Sequence, residues 1–143
     1  MKNSLLFKKI LFYFFIFFAN INLFSQNVPP SITDPEQLRA TQIERQKVFD
    51  SIIEDPTNLE NLFNYANLSI LVGDLEAAIG IFEQMLIYQP DLPRIKLELG
   101  VLYFRLGAFA SAKRYLDDVE NYNPPKEVTE KVSVFLEQIE NET

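Results

Sequence analysis

Apolar and polar positions between Leu59 and Pro124 follow one pattern, written twice at a constant step. Tyr65 answers Leu99, Leu68 answers Leu102, Leu75 answers Phe109, Phe82 answers Leu116 and Met85 answers Val119. Small residues keep the same step: Ala66 with Gly100, Gly73 with Gly107, Ala78 with Ala112, and Pro90 with Pro124. A period of about 34 residues with small residues in fixed places marks a stack of helical hairpins. The predicted fold is all-α, an α-α superhelix of two hairpins.

Local signals place the helices. Thr33 and Glu36 have capping-box spacing, and Asp34-Pro35 suits a helix start. The first helix then runs to about Glu54, with Val48, Phe49, Ile52 and Ile53 as its burying stripe. It reads as a half-repeat whose last two turns dock while its first half projects into solvent. Thr57 and Glu60 form a second capping box before a helix over about 58–71. Gly73 ends that helix in the left-handed conformation and Asp74 caps the next, which stops before Pro90. Asp91 and Pro93 start the third helix of the pair of hairpins, Gly107 ends it, and the fourth reaches about Tyr122. Close crossing explains the small residues, since a leucine at Ala66, Ala78, Gly100 or Ala112 would overpack the contact by about 1–3 kcal/mol. Leu62, Leu68, Leu75, Phe82, Leu99, Leu102, Phe109 and Leu116 supply burial around them.

The last stretch departs from the period. Val134 stands where a small residue belongs, and Lys131 takes the place of Leu97. Val128, Val132, Phe135, Leu136 and Ile139 make one narrow stripe, with Glu127, Glu130, Lys131, Glu137 and Glu140 facing away. This is the pattern of a capping helix over 126–141.

The N-terminus is different in kind. Seven of the 13 phenylalanines lie between Phe7 and Phe24, and Lys2, Lys8 and Lys9 precede an apolar run from Ile10 to Ala19. A positive start, a short apolar segment and a small residue before a polar one describe a secretory signal peptide over 1–25, cut before Gln26. Retention as an anchor is the alternative, although the uninterrupted apolar run falls well short of the roughly 20 residues that span a bilayer. Residues 26–33 form a flexible lead-in around Pro29-Pro30, and 34–143 the repeat domain, with repeats at about 59–92 and 93–126. Either way the expected location is periplasmic, or otherwise exported.

Composition narrows the chemistry. The chain has no histidine and no cysteine, which removes triad catalysis and the usual transition-metal ligands. It also excludes a lipid on an N-terminal cysteine. Without residues 1–25 there are 10 basic and 20 acidic residues, a net charge near −10. Such a surface repels phosphate backbones, so nucleic acid is not expected as a partner. Asp117, Asp118 and Glu120 read as a solvated face, since adjacent carboxylates on a helix diverge. No cofactor, metal site, small-molecule substrate or catalytic pair is expected.

These residues resemble the tetratricopeptide repeat. Its leucine, small residue, alanine, phenylalanine and proline are met by Leu62, Ala66, Ala78, Phe82 and Pro90, and the second copy supplies Gly100, Tyr103, Ala112 and Pro124. Ser69, Lys96, Leu116 and Val119 depart from the pattern. The run from Asp55 to Ala112 also resembles the periplasmic repeat domain in front of outer-membrane β-barrels, such as surface lipoprotein assembly modifiers. This chain carries one helix after Pro125 and no barrel. The alternative expectation is therefore a detached or truncated front domain of an outer-membrane assembly or secretion protein, with outer-membrane association.

In that family the first helix of each hairpin lines a concave groove for a peptide or partner helix. Matching positions here are Glu60, Phe63, Asn64, Asn67, Ile70 and Leu71, then Arg94, Leu97, Glu98, Val101, Phe104 and Arg105. Exposed Phe63, Ile70, Val101 and Phe104 would bury a partner's apolar side chains, and Asn64 and Asn67 would hydrogen-bond its backbone. A rival reading has the N-terminal helix fill the groove, leaving those residues as core. The resemblance implies a non-catalytic protein–protein interaction module whose partner is a segment of an exported or outer-membrane protein. Two hairpins fall below the three or so repeats usually needed, so stacking into a homo-oligomer is a further expectation.

Overall fold

A computed structural model describes residues 30–142; the expected signal peptide, and the lead-in up to residue 29, lie outside the described residues. Within them the chain forms six helices and no strand. These are α1 (Pro35–Glu54), α2 (Leu59–Leu71), α3 (Leu75–Tyr88), α4 (Pro93–Arg105), α5 (Phe109–Glu120) and α6 (Lys126–Glu142). Each packs on its neighbour in sequence, and α6 also rests on α4. The result is an all-α superhelix. No described helix is long and apolar enough to cross a membrane.

The repeat is visible in the backbone itself. Gly73 has φ 84° and Gly107 φ 70°, a conformation that only glycine adopts without strain. After them the Asp74 N–H donates to the Ser69 carbonyl at 2.9 Å, and the Ala108 N–H donates to the Tyr103 carbonyl at 2.9 Å. These two bonds are the same bond, one repeat apart.

Both expected capping boxes slip by one position. Asp34, not Thr33, caps α1, its carboxylate accepting from the N–H groups of Glu36 and Gln37. Pro35 disfavours helical angles in the residue before it, so Asp34 takes the extended cap conformation. Asn58, not Thr57, caps α2, accepting from Glu60 and Asn61 N–H. The Thr57 hydroxyl is spent on Asp55 instead, donating to Oδ1 at 3.0 Å. Asp91 likewise does not cap α4, which starts on Pro93 with no side-chain cap; the Asp91 carboxylate accepts from the Tyr122 hydroxyl at 3.1 Å.

The reading of α1 needs two corrections. Its first half does not project into solvent. Leu38, Thr41, Arg45, Val48 and Ile52 turn inward at alternating spacings of three and four, one face of a helix. Arg45 pairs with Asp74 at 2.7 Å, and the N–H groups of Ser31 and Ile32 donate to the Leu71 carbonyl. The contact is made largely by polar and backbone groups, so hydrophobic patterning missed it. At the other end Ile53 is 67% exposed, because it lies one position, about 100°, around the helix from buried Ile52.

The core falls into two clusters. Leu62, Ala66, Leu75, Ala78, Phe82, Leu99 and Leu102 centre the first, and Ala112, Leu116, Val119, Val132 and Ile139 the second. Each fully buried leucine or phenylalanine contributes roughly 1.5–3 kcal/mol. Gly100 sits where α4 meets α5, and a Cβ there would lie 2.7 Å from Leu116 Cγ and Cδ2. Of the residues expected in the core, Leu68 and Phe109 are only half-buried.

Candidate partner-binding groove

The first helices of the hairpins share one side of the stack. Across it the Arg94 guanidinium of α4 lies 4.6 Å from the ring centre of Phe63 on α2. Farther along, Phe104 of α4 meets Phe135 of α6 edge-on at 5.1 Å. Side chains therefore bridge α2 to α4, whose backbones do not pack directly, while α4 rests on α3 and α5.

The expected groove residues divide by exposure. Asn64 and Arg94 are exposed, Leu71 is 39% exposed, and Asn67, Val101 and Arg105 are half-buried. Phe63 is half-buried, seated on Phe82 with rings 6.0 Å apart. Phe104 is half-buried between Phe109 and Phe135. Phe63 and Ile70 pack against the first core cluster, and Leu97 and Phe104 against the second, so all four serve the core as well as the surface. The rival occupant of the groove is elsewhere: α1 lies along α2 and packs on neither α4 nor α6. It takes the place of a preceding hairpin's second helix.

A cleft of about 390 Å³ opens at the α4–α6 end of this face, walled by Pro93, Leu97, Val119, Pro124 and Val128 with Arg94 at its edge. Sequence reasoning missed it. Its wall is shaped by Asn123, whose φ of 47° turns the chain sharply before Pro124-Pro125; asparagine before two prolines was the only available signal. A larger, more polar hollow of about 510 Å³ lies beside Arg114, Asp117 and Asp118, away from the groove.

Two departures from the repeat pattern explain each other. Lys96 occupies an apolar position, yet its ammonium pairs with Asp118 at 2.6 Å and donates to the Tyr122 hydroxyl at 2.7 Å. Burial alone would lower the Lys96 pKa, but the bonds to Asp118 and Tyr122 outweigh it and raise the pKa above the ordinary lysine value. The bond from Lys96 holds the Asp118 carboxyl below the usual range. Asp117 pairs instead with Lys113 at 3.0 Å, and no three potential metal ligands converge among the described residues. On the outer side Glu83 of α3 accepts from the hydroxyls of Tyr103 (2.8 Å) and Tyr115 (3.1 Å). Burial, with help from Glu83, pushes the Tyr103 phenol up to about 12. Both networks clasp one helix to the next; Tyr122 of the first also lines the cleft, whereas the Glu83 network lies on the outer side.

Residues 70–129 match the tetratricopeptide repeat. The matched stretch runs from the end of α2 into α6 and so contains both glycine turns. Among solved structures, the type III secretion chaperone SycD of Yersinia enterocolitica, in complex with a peptide of the translocator YopD, is similar in fold. It has a TM-score of 0.65 at 16% identity, over 75% of this chain and 85% of that one. No curated protein matches the chain.

Proposed function

We propose that the chain is an exported, non-catalytic tetratricopeptide module that holds a segment of another protein between α2 and α4. The observation that carries this is the open inner face: Phe63, Val101 and Phe104 keep exposed surface there, and α1 leaves it uncovered. Half-exposed aromatics in a groove are suited to burying a partner's apolar side chains. That SycD was solved with a peptide of its translocator supports the reading. Export rests on Lys2, Lys8 and Lys9 ahead of the apolar run, and the narrower kinship with outer-membrane assembly modifiers rests on sequence resemblance alone.

The test is affinity capture from the exported compartment with wild type, Phe63→Glu plus Phe104→Glu, and Asn64→Arg plus Leu71→Glu. The second pair is included because Phe104 also packs on Phe109 and Phe135, whereas Asn64 and Leu71 are surface residues. Specific partner recovery should fall with both variants while helical circular dichroism stays unchanged. Equal recovery from all three proteins would count against the groove.

A further inference from the structure

Exposed apolar side chains are unevenly spread over this molecule. Among the described residues seven large hydrophobic side chains are exposed. Four of them, Phe49 and Ile53 of α1 and Ile87 and Tyr88 of α3, fall within the last two turns of those helices. Ile53 is 67% and Ile87 78% exposed, and Ile87 stands one repeat beyond Ile53, at the same point of the pattern. Phe49 likewise stands one repeat before Glu83, which meets Tyr103 and Tyr115 on the outer side. The patch therefore belongs to the outer side, behind the groove. It stops at α5, where the counterpart of Ile87 is the exposed Asn121.

The parts of the patch are held in place by the fold. α1 and α3 both pack on α2. Gln84 of α3 donates to the Pro56 carbonyl just after α1 (3.4 Å) and to the Tyr88 hydroxyl (3.1 Å). The Phe49 ring rests on Tyr65, with ring centres 5.6 Å apart. A cluster spanning two helices, unlike single exposed residues, marks an interaction site. Charge selects the occupant. Asp50, Glu54 and Asp55 flank Ile53, and Asp91 follows Ile87 and Tyr88. Neither α1 nor α3 has a base in its last turn, so two helix C-termini, where cations are favoured, are left without one. The two bases that most closely precede Phe49, Arg45 and Lys47, are engaged with Asp74 and Glu44.

We propose that this outer patch is a second docking surface, for a basic amphipathic helical segment of a partner protein. Leucine or isoleucine side chains of that segment bury against Ile53, Ile87 and Tyr88, and its lysines or arginines meet Asp50, Glu54 and Asp55.

Selection of a random peptide display library on the full chain tests this. The selected peptides should include a class rich in Lys and Arg, with Leu or Ile spaced three or four apart. A labelled member of that class should lose about tenfold in affinity, equivalent to about 1.4 kcal/mol, on Ile53→Glu plus Ile87→Glu. Both side chains are exposed, so circular dichroism should not change. Asp50→Lys plus Glu54→Lys should weaken binding as much, and raised salt should weaken it on wild type. The groove variant Asn64→Arg plus Leu71→Glu should leave it unchanged. Absence of a basic class, indifference to the patch variants, or loss on the groove variant would each overturn the proposal. A concentration-dependent dimer in sedimentation that Ile53→Glu plus Ile87→Glu abolishes would also overturn it, making the patch an interface between copies. Basic peptides that bind only once residues 1–25 are removed would overturn it in favour of the chain's own N-terminal segment, with its three lysines. The capture experiment on the groove reads different residues, so its outcome stands whichever way this one falls.

Discussion

Replacing Ser69 by alanine is expected to stabilise the protein, an uncommon direction for a core substitution. Ser69 is 0% exposed in the last turn of α2, and its hydroxyl has no hydrogen-bond partner among the described residues. It stands where the second repeat has Tyr103, whose hydroxyl reaches Glu83. A buried, unsatisfied polar group costs about 1–3 kcal/mol. Alanine is also preferred to serine inside a helix by roughly 0.5 kcal/mol. Losing the packing of one oxygen atom works the other way, leaving a net gain of about 1–2 kcal/mol. In urea the midpoint should rise by about 0.5–1 M with an unchanged slope, and Tm by about 3–8 °C. Ser133→Ala is the control: Ser133 is exposed on α6 and donates to the Thr129 carbonyl, so it tests helix preference without burial. If Ser69→Ala is no more stable than wild type, or gains no more than Ser133→Ala, the hydroxyl is satisfied and the reasoning is refuted.

Gly100→Ala should destabilise by up to about 2 kcal/mol: overpacking against buried Leu116 costs about 1–3, offset by about 1 from removing a mid-helix glycine. A variant more stable than wild type in urea would contradict the 2.7 Å approach. In an ultraviolet titration, Tyr103 should ionise near pH 12. Its phenol pKa is raised on folding, so its stabilising contribution is present below about pH 10 and lost as pH climbs through the folded value. Tyr103→Phe should remove that late step; a full titration finishing near pH 10 would count against the Glu83 clasp. Asp118 has a lowered pKa, so its contribution is present above about pH 4 and fades as pH falls through the folded value. Asp118→Asn should therefore lose less stability than wild type on acidification below about pH 4, and parallel curves would show that the Lys96 pair contributes nothing.

What sequence revealed and what it hid follow from the range of each interaction. Gly73 and Gly107 were legible because a left-handed turn needs glycine whatever surrounds it. The core stripe of α6 was legible because burial repeats with the helix period. The caps were placed one position early, because Thr33 and Asp34, or Thr57 and Asn58, offer the same chemistry. Only Pro35 and the Thr57–Asp55 bond decide between them. The docking of α1 ahead of its last two turns was hidden because Arg45 and two backbone N–H groups just before the helix carry it. Lys96 looked like a flaw in the second repeat until Asp118, on the following helix, stood beside it. The cleft was hidden for the same reason, since it joins α4 to a turn whose shape depends on the backbone angle of Asn123.

The most direct test of the account is site-specific photo-crosslinking in the exported compartment. A photoreactive residue is placed in turn at Asn64 and Leu71 on the inner face, and at Glu76 and Lys113 elsewhere on the surface; all four positions are exposed. A discrete partner adduct from the first two positions and none from the last two is the expected result. Adducts from Glu76 or Lys113 alone, or equally from all four, would contradict a partner held between α2 and α4.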